Sequence, residues 1–270
     1  MRDHAPSFAA SLGNAHAAKE HPVARRMLDK VRCRHLLEEL GAPVVERFKV
    51  LDSINVLRPD HLVTPTVIKP QRGFNNRGVM AVRPVGAGLW HNVLTGKELD
   101  FEGVRGTLVA AALRHGLADG WIIEDLVEGS RPGAPVDDIK LNMFGDRLAC
   151  GFVRSNAPRG YRWFDENWRP VDTGVHAAHL EPSIPVPESA ARLTEIAQDV
   201  ARRLPVPFVR VDFLVGAQQA VIGELTPYPG WYRDFSPEWD TILGMHYDRA
   251  AAELARSGRD LTAVTRITAS

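Results

Sequence analysis

Two acidic side chains, Asp212 and Glu224, have the type and the spacing to bind a divalent cation. They lie in two short stretches, residues 208–215 and 220–226, in which side chains alternate with the period of two that is typical of β-strands. Carboxylates on neighbouring strands repel each other unless a cation lies between them, and Mg²⁺ prefers oxygen ligands of this kind. The pattern predicts a metal-binding hairpin, with an edge hairpin that carries a solvated polar face as the simpler alternative.

The register of this hairpin decides whether the two carboxylates meet. A three-residue loop centred on Gln218 would place Asp212 opposite Glu224 on one face of the sheet. The same register would place Arg210 opposite Thr226. Arg210 and the Pro229-Gly230 ending of the stretch add to the interpretation as a metal site.

A second stretch that could do chemistry lies around Lys69. A short strand, residues 66–69, is followed by a loop that Gly73 and Gly78 bracket. Backbone amides of such a loop can approach and cradle a phosphate, and the lysine adds a positive charge. The spacing is not that of a Walker A motif, and no helix follows. A plain hairpin turn is the alternative, and the loop taken alone favours it.

Residues 136–154 predict another hairpin with charged side chains. Asp138 and Lys140 alternate with apolar residues before a turn at residues 144–146. The return strand would bring Lys140 and Arg154 onto one small sheet. Polar pairs across strands at a protein surface contribute little free energy, and ordinary surface polarity is the simpler interpretation.

Apolar periodicity and the start and stop signals of helices predict the remaining elements. We expect a loose arm over residues 1–20, a helix from Pro22 to Gly41 that contains Asp29-Lys30, a helix over 108–117, a buried strand from Trp121 to its acidic end, a helix over 188–204, a short helical piece from Ser236 and a last helix over 247–256. Residues 156–174 are rich in aromatic and arginine side chains and predict an irregular functional loop. His176 and His179 lack further metal ligands at suitable spacing, so they are interpreted as ordinary histidines.

Composition restricts the class of protein. The chain has 270 residues, with 33 basic and 33 acidic side chains and 44% hydrophobic content, which fits one large or two modest domains. Balanced charge argues against general binding to nucleic acid or membrane surfaces. Only two cysteines occur, and we find neither a signal peptide nor an apolar run long enough to span a membrane. These features predict a soluble, cytoplasmic protein.

The order of the motifs resembles the ATP-grasp superfamily, which includes the D-alanine–D-alanine ligases and the amino-acid ligases related to the ribosomal-protein glutamate ligase. The order runs from the Asp29-Lys30 helix through the glycine loop after Lys69, the strand at Glu124, the lysine hairpin and a long helix to Arg-x-Asp and Glu-x-Thr. Two stretches, DIKLNMFGDRLACGFVRSN and YRWFDENW, are most similar to the TupA-like branch, named for teichuronopeptide synthesis.

The resemblance implies an α+β ATP-grasp fold, in which two α+β lobes clasp ATP between antiparallel sheets, with a reduced N-terminal region. Residues 1–60 would form an arm and helical lead-in, residues 61–127 the first lobe with the glycine-rich loop, and residues 128–270 the second lobe with the metal-binding hairpin. Only 29 residues precede Lys30, fewer than the α/β domain that usually comes first in the family. We therefore expect the arm, the aromatic loop or another subunit to supply the missing substrate surface.

The resemblance also implies a set of site residues. ATP would be contacted by Lys30, Lys69, Gly73, Gly78, Glu124, Asp125, Leu126, Val127, Asp138 and Lys140. Mg²⁺ would be held by Asp212 and Glu224, and the catalytic residues would be Arg210, Lys140 and Arg154. The family usually has asparagine where this chain has Thr226, so a second Mg²⁺ would bind weakly or through water.

In function, the resemblance implies an ATP- and Mg²⁺-dependent carboxylate–amine ligase that works through an acyl phosphate, in envelope-polymer or specialised peptide synthesis. A phosphotransferase of the same fold and a non-catalytic nucleotide-binding module are the alternatives. Cationic and aromatic residues suit a carboxylate-bearing substrate, so the candidate substrate contacts are Arg154, Arg159, Tyr161, Arg162 and Trp163. The expected partners are small carboxylate and amine substrates, amino-acid-like or peptide-like, and a second copy of the chain in a homodimer, but neither nucleic acid nor membrane.

Overall fold

Two antiparallel β-sheets organise the fold of this computed structural model, which describes residues 5–18, 21–73, 77–129, 136–156, 158–217 and 219–258. The first sheet has the strand order β1-β6-β2-β3-β4-β5, with β1 (Phe48–Leu51), β2 (Thr66–Pro70), β3 (Met80–Gly86), β4 (Leu89–Asn92), β5 (Lys97–Asp100) and β6 (Trp121–Asp125). The second sheet has the order β10-β9-β8-β7-β11-β12, with β7 (Asp137–Phe144), β8 (Arg147–Asn156), β9 (Arg159–Asp165), β10 (Pro170–Val171), β11 (Phe208–Val215) and β12 (Ala220–Thr226).

Helices cover both faces of the second sheet and one face of the first. The α-helices of the described residues are α1 (Phe8–Ala18), α2 (Pro22–Met27), α3 (Lys30–Glu39), α4 (Phe101–His115), α5 (Ala190–Arg203) and α6 (Pro237–Arg256). Apolar residues of α2, α3 and α5 share one core with the second sheet, and those of α1 and α6 share another on its opposite face. Helix α4 packs on the first sheet through Val104 and Leu108. The predicted α+β class is confirmed, whereas the division into residues 1–60, 61–127 and 128–270 stays a prediction.

The N-terminal segment is a docked helix, so the expected loose arm is wrong for its described part. Phe8 and Leu12 lie one turn apart on α1 and are both buried. The Phe8 ring contacts the rings of Phe144 and Phe208 with centroid distances of 5.4 and 5.0 Å. Two apolar residues in an alanine-rich segment form too short a stripe to stand out in the sequence, and their partners lie far along the chain.

The single helix expected from Pro22 to Gly41 is divided into α2 and α3. Asp29 separates the two and caps α3, because its Oδ1 accepts hydrogen bonds from the backbone N–H groups of Val31 and Arg32 at 3.0 and 3.1 Å. Asp29 is therefore a helix cap and not simply part of a solvated helix face. The cap makes Lys30 the first residue of α3.

Two helix boundaries also differ from the prediction. Helix α4 begins at Phe101 and not near residue 108, and residues 237–256 form one continuous helix α6 where two pieces were expected. Gly244 lies within α6 and has a packing role. A Cβ at this position would lie 2.6 Å from the backbone nitrogen of Ser7, so glycine permits α1 to approach α6 closely.

Residues 159–165 and 170–171 form strands, so the prediction of an irregular loop over residues 156–174 is wrong there. Strand β9 pairs with β8, and β10 returns antiparallel to β9. Successive side chains of β9 alternate between the two faces of the sheet, so that Trp163 lies in one core and Phe164 in the other. The alternation was hidden because both faces of this strand carry large aromatic residues.

No helix among the described residues is long and apolar enough to cross a membrane.

Close packing of β7 on β8 depends on Gly151. An ideal Cβ at this position would lie 2.6 Å from Leu141 Cδ2 and 2.9 Å from the backbone oxygen of Lys140. We expect Gly151→Ala to lower the free energy of unfolding by about 1–3 kcal/mol, because the added methyl group forces the strands apart. Urea denaturation followed by circular dichroism measures the change.

Gly106→Ala is the matched control, since no atom lies within 4 Å of its Cβ position on the exposed side of α4. Alanine is the better helix former, so this variant should gain about 0.5–1 kcal/mol. Equal stability of Gly151→Ala and the wild type would contradict the packing argument.

Candidate active site

The β11–β12 hairpin places the two predicted metal carboxylates opposite each other. Asp212 pairs with Glu224, and Arg210 pairs with Thr226, which confirms the predicted register. The predicted three-residue loop is wrong: residues 216–219 separate the strands, and Gln218 itself lies outside the described residues.

A β-bulge restores the register that the longer loop would otherwise shift. Phe213 pairs with Ile222, whereas the preceding Asp212 pairs with Glu224, so Gly223 is the extra residue of β12. The bulge turns both Ile222 and Leu225 into the apolar core beneath the sheet. Gly223 is exposed, and a residue without Cβ suits a bulge. The hairpin therefore presents its two carboxylates on the face opposite this core.

Arg210, Asp212 and Lys140 form a buried charge cluster on the central strands β7 and β11. Arg210 donates from Nε to Asp212 Oδ1 and from Nη2 to Asp212 Oδ2, both at 2.6 Å. Lys140 Nζ donates to Asp212 Oδ2 at 2.8 Å. Burial by itself raises the pKa of the Asp212 carboxyl, but the two cations outweigh burial and hold this pKa below its usual value. Asp212 is therefore ionised and fully paired.

Glu224 provides the second predicted metal carboxylate and is not paired. Together with Arg210, Asp212 and Lys140 it forms a set of charged side chains that we call the charged row. Within the described ranges, no hydrogen bond or ion pair reaches its carboxylate. Burial and the charge of Asp212 raise the pKa of Glu224, while Lys30 acts in the opposite direction. A half-buried carboxylate without a partner, opposite an ionised one, is a set of oxygen donors that fits Mg²⁺. Asp212 and Glu224 are the residues that would hold the ion.

Protein side chains alone do not form a complete metal centre here. No group of three or more His, Cys, Asp and Glu side chains in the part of the chain that is described could hold a metal ion. His176 and His179 are thus not members of such a group, and their interpretation as ordinary histidines stays a prediction. An ion at Asp212 and Glu224 would take further oxygen ligands from water or from phosphate, as Mg²⁺ commonly does.

A cleft between the two sheets brings the predicted nucleotide-binding residues to this row. Its lining includes Lys30, Lys69, Glu124 and Glu224. Lys69 Nζ lies 2.6 Å from Glu124 Oε1, in an ion pair between the neighbouring strands β2 and β6. Lys69, which is predicted to contact phosphate, and Glu124, which is predicted to contact adenine, are therefore adjacent and form an ion pair.

Lys30 connects the two sides of the cleft. Helix α3, which it begins, packs on β12 of the second sheet, whereas the Lys30 ammonium donates a 2.7 Å hydrogen bond to the carbonyl of Gly73 after β2. Burial lowers the pKa of Lys30, and the nearby Glu224 counteracts this effect. The side chain thus lies between the glycine loop and the metal carboxylates.

The glycine loop packs where a side chain would not fit. Gly78 has a φ of 74°, and a Cβ there would lie 2.7 Å from Leu117 Cδ1. Gly73 also has a positive φ, and a Cβ at this position would meet Pro70 and Leu117 at longer distances. Residues 74–76 of the predicted phosphate loop lie outside the described residues.

The chain leaves the first sheet at the residues predicted to line the base and ribose of ATP. Asp125 accepts hydrogen bonds from the backbone N–H and the Nε of Arg47 at 2.8 and 2.9 Å. Leu126 is half-buried and Val127 is buried in a small apolar cluster. Asp125 therefore already has a structural partner, whereas Glu124 lines the cleft.

Arg154 lies at the open end of the charged row. It is opposite Asp138 in the register of β7 and β8, with an Nη1–Oδ2 distance of 3.5 Å. Lys140 Nζ is 4.0 Å from the same oxygen. The Arg154 side chain keeps 39% of its surface exposed, so a ligand could reach it.

The structure does not bring the other predicted substrate residues together. Arg159 is exposed at the start of β9, and Tyr161 stacks on His176 with a centroid distance of 4.0 Å. Arg162 donates to a backbone carbonyl, and Trp163 is fully buried. Substrate contact by these residues stays a prediction, and burial favours a packing role for Trp163.

Sequence reasoning missed Trp231 and the use of the Thr226 hydroxyl. The guanidinium carbon of Arg210 lies 5.4 Å from the centroid of the Trp231 ring. Arg210 Nη2 also donates to Thr226 Oγ1 at 3.1 Å. The one sequence signal for Trp231 is its position directly after the Pro229-Gly230 turn that follows β12.

Comparisons with known proteins bear on the fold and the family of the chain. No curated protein sequence matches the chain significantly. The crystal structure of D-alanine–D-alanine ligase from Bacillus anthracis superposes with a TM-score of 0.52 and 17% identity, over 86% of this chain and 70% of that chain. The complex of the Bacillus anthracis enzyme with ATP gives a TM-score of 0.51 and 16% identity, over 86% and 68% of the two chains.

This structural similarity supports the fold, and the ATP-grasp fold expected from the sequence is confirmed. The sequence profile of the TupA-like ATP-grasp family matches residues 11–248, the larger part of the chain. The protein therefore belongs to the TupA-like ATP-grasp family.

Proposed function

We propose that the protein is an ATP- and Mg²⁺-dependent ligase that joins a carboxylate to an amine and releases ADP and phosphate. The observation that carries the proposal is the charged row at the cleft, where Asp212 lies between Arg210 and Lys140 and opposite the unpaired Glu224. Membership of the ATP-grasp family and the fold shared with a D-alanine–D-alanine ligase support this reaction class.

The proposed reaction has two steps. A carboxylate oxygen attacks the γ-phosphorus of ATP, ADP leaves and an acyl phosphate forms. The amine nitrogen then attacks the acyl carbon, phosphate leaves with the electron pair of the C–O bond, and the nitrogen loses a proton. Neither step needs a protein nucleophile, so the residues contribute positioning and positive charge. Mg²⁺ held by Asp212 and Glu224 would neutralise phosphate charge.

The cations that line the cleft and the neighbouring Arg210 have different parts in this proposal. Lys30 and Lys69 would bind phosphate oxygens in exchange for the Gly73 carbonyl and the Glu124 carboxylate that they now contact. Arg210 would stabilise the negative oxygen that develops during acyl transfer. A buried guanidinium suits this role, because it stays charged and is already oriented before the reaction.

The proposed substrates are small and amino-acid-like or peptide-like, as the name of the D-alanine–D-alanine ligase with the same fold suggests. Arg154 at the open end of the row suits a substrate carboxylate, and Arg159 and Tyr161 are further candidates on β9. The TupA likeness supports a role in envelope-polymer or specialised peptide synthesis. Homodimer formation and a cytoplasmic location stay predictions.

The proposal predicts ADP release from ATP and Mg²⁺ that requires both an acid and an amine. Pooled amino acids, small peptides and other amines supply the candidates, and a coupled enzyme assay measures ADP. Asp212→Asn should reduce the rate at least about 100-fold, because it removes a metal carboxylate and the charge partner of two cations. Asp146→Asn, on the surface in a 3.5 Å ion pair with Arg202, is the control and should leave the rate unchanged.

Three outcomes would contradict the proposal in different ways. ADP release with an acid and a phosphorylated product, but without dependence on amine, would indicate a phosphotransferase. ATP binding in calorimetry without turnover by any acid and amine pair would favour a nucleotide-binding module. Absence of ATP binding would contradict the nucleotide site itself.

Ionised Glu224, which has no partner, should lower the free energy of unfolding. Because its pKa is raised, the folded protein binds this proton more tightly than the unfolded chain, and ionised Glu224 is destabilising at neutral pH. Glu224→Gln should therefore raise the free energy of unfolding at pH 7. The gain should shrink as the pH falls and vanish below the ordinary glutamate pKa of 4.5. Urea denaturation in Mg²⁺-free buffer across this pH range measures it.

Glu195→Gln serves as the control for charge removal, since the Glu195 side chain is 66% exposed on α5. This variant should change the stability little at any pH. A Glu224→Gln protein that is no more stable than the wild type at pH 7 would show that ionised Glu224 carries no such cost.

A further inference from the structure

The guanidinium of Arg210 is held by two kinds of neighbour. One kind is charged: Asp212 accepts from both Nε and Nη2. The other kind is uncharged: Thr226 Oγ1 accepts from Nη2 at 3.1 Å, and the Trp231 ring lies 5.4 Å from the guanidinium carbon. A cation over the face of a tryptophan ring is attracted by the ring quadrupole.

Trp231 is itself fixed in orientation by other aromatic rings. It makes edge-to-face contacts with Trp163, Phe235 and Phe152, with centroid distances of 5.4, 5.5 and 5.6 Å and interplanar angles of 89°, 73° and 69°. Such perpendicular pairs are the favourable geometry for aromatic rings. The ring that faces Arg210 is therefore anchored in the core that α1 and α6 share with the second sheet.

The charged contact of Arg210 is one that a ligand would weaken. Asp212 already divides its oxygens between Arg210 and Lys140. A cation bound by Asp212 would compete with both for the same oxygens, whereas Thr226 and Trp231 would be unaffected. The two uncharged neighbours can thus keep the guanidinium in place when Asp212 serves another cation.

We propose that Thr226 and Trp231 are positioning residues that hold the Arg210 guanidinium, a role that rests on the catalytic function proposed above for Arg210. The hydroxyl of Thr226 accepts a hydrogen bond from Arg210 Nη2. Within the described residues, Arg210 donates its hydrogen bonds from Nε and Nη2. Nη1 is not one of the fully buried side-chain atoms that lack a hydrogen-bond partner. Nη1 is the donor left for a substrate oxygen.

Nuclear magnetic resonance of the arginine side chains tests the positioning directly, in the full chain with Mg²⁺. The Arg210 resonances are assigned by their loss in Arg210→Lys. In the wild type we expect two separate Nη resonances, because rotation about Nε–Cζ is slow, and a ring-current shift from Trp231. Thr226→Val should speed the rotation about Nε–Cζ several-fold, and Thr226→Ser should restore the slow rotation of the wild type. Trp231→Ala should abolish the ring-current shift.

Three further variants control for folding and for unspecific effects. Trp168→Phe removes an indole from the other face of the sheet, and Thr241→Val removes a hydroxyl from the surface of α6. Both should leave the Arg210 resonances unchanged. Trp231→Phe keeps an aromatic face and should give an intermediate shift, so it serves if Trp231→Ala does not fold.

Calorimetry with Mg²⁺, ADP and orthovanadate, a mimic of the transferred phosphoryl group, supplies the functional measurement. Trp231→Ala and Thr226→Val should bind ADP as the wild type does, but lose about 2- to 30-fold of the added affinity from vanadate. Unchanged Arg210 resonances in both variants would overturn the positioning role. Failure of the wild type to bind ADP would contradict the proposed function, and the resonance measurement would still decide the positioning question.

Discussion

The second sheet depends on the neutralisation of buried charge around Asp212. Arg210 and Asp212 are only 8% and 6% exposed, and an unpaired ion at such burial would cost several kcal/mol. Arg210 and Lys140 meet the carboxylate from β11 and β7, so the pairing of these two central strands also sets the charge balance of the site. With Glu224 included, two cations face two carboxylates. Removal of Asp212 would leave the buried Arg210 without its carboxylate partner, and removal of Arg210 would leave Asp212 with Lys140 alone.

This constraint explains which features the sequence could predict. Alternation of side chains along residues 208–226 contains both the pairing partners and the shared face, so the opposition of Asp212 and Glu224 followed from local information. The loop length did not follow, because the bulge at Gly223 and the longer loop compensate each other in the register. A three-residue loop without a bulge and a longer loop with the bulge at Gly223 both place Asp212 opposite Glu224. The sequence pattern is the same for the two arrangements and cannot distinguish them.

The features that the prediction missed depend on contacts between distant residues. Helix α1 is stable where it lies because Phe8 packs against rings more than a hundred residues away, and no local stripe announces this. Trp231 acquires its orientation from rings on β8 and β9 and after β12. Conversely, the aromatic residues around Trp163 looked like an exposed recognition loop because aromatic side chains are equally suited to ligands and to cores.

The cleft is held in its present arrangement by the same cations that the proposed reaction needs. Lys69 is bound to Glu124, Lys30 to the Gly73 carbonyl, and Lys140 to Asp212. A ligand therefore gains only the difference between its own contacts with these cations and the contacts that it replaces. A singly charged anion can replace one such contact and gains little from the others. A polyphosphate that brings its own cation meets several lysines at once, while the released carboxylates become free for the metal. These ion pairs and hydrogen bonds would therefore favour a polyphosphate over a small anion, in agreement with the proposed function.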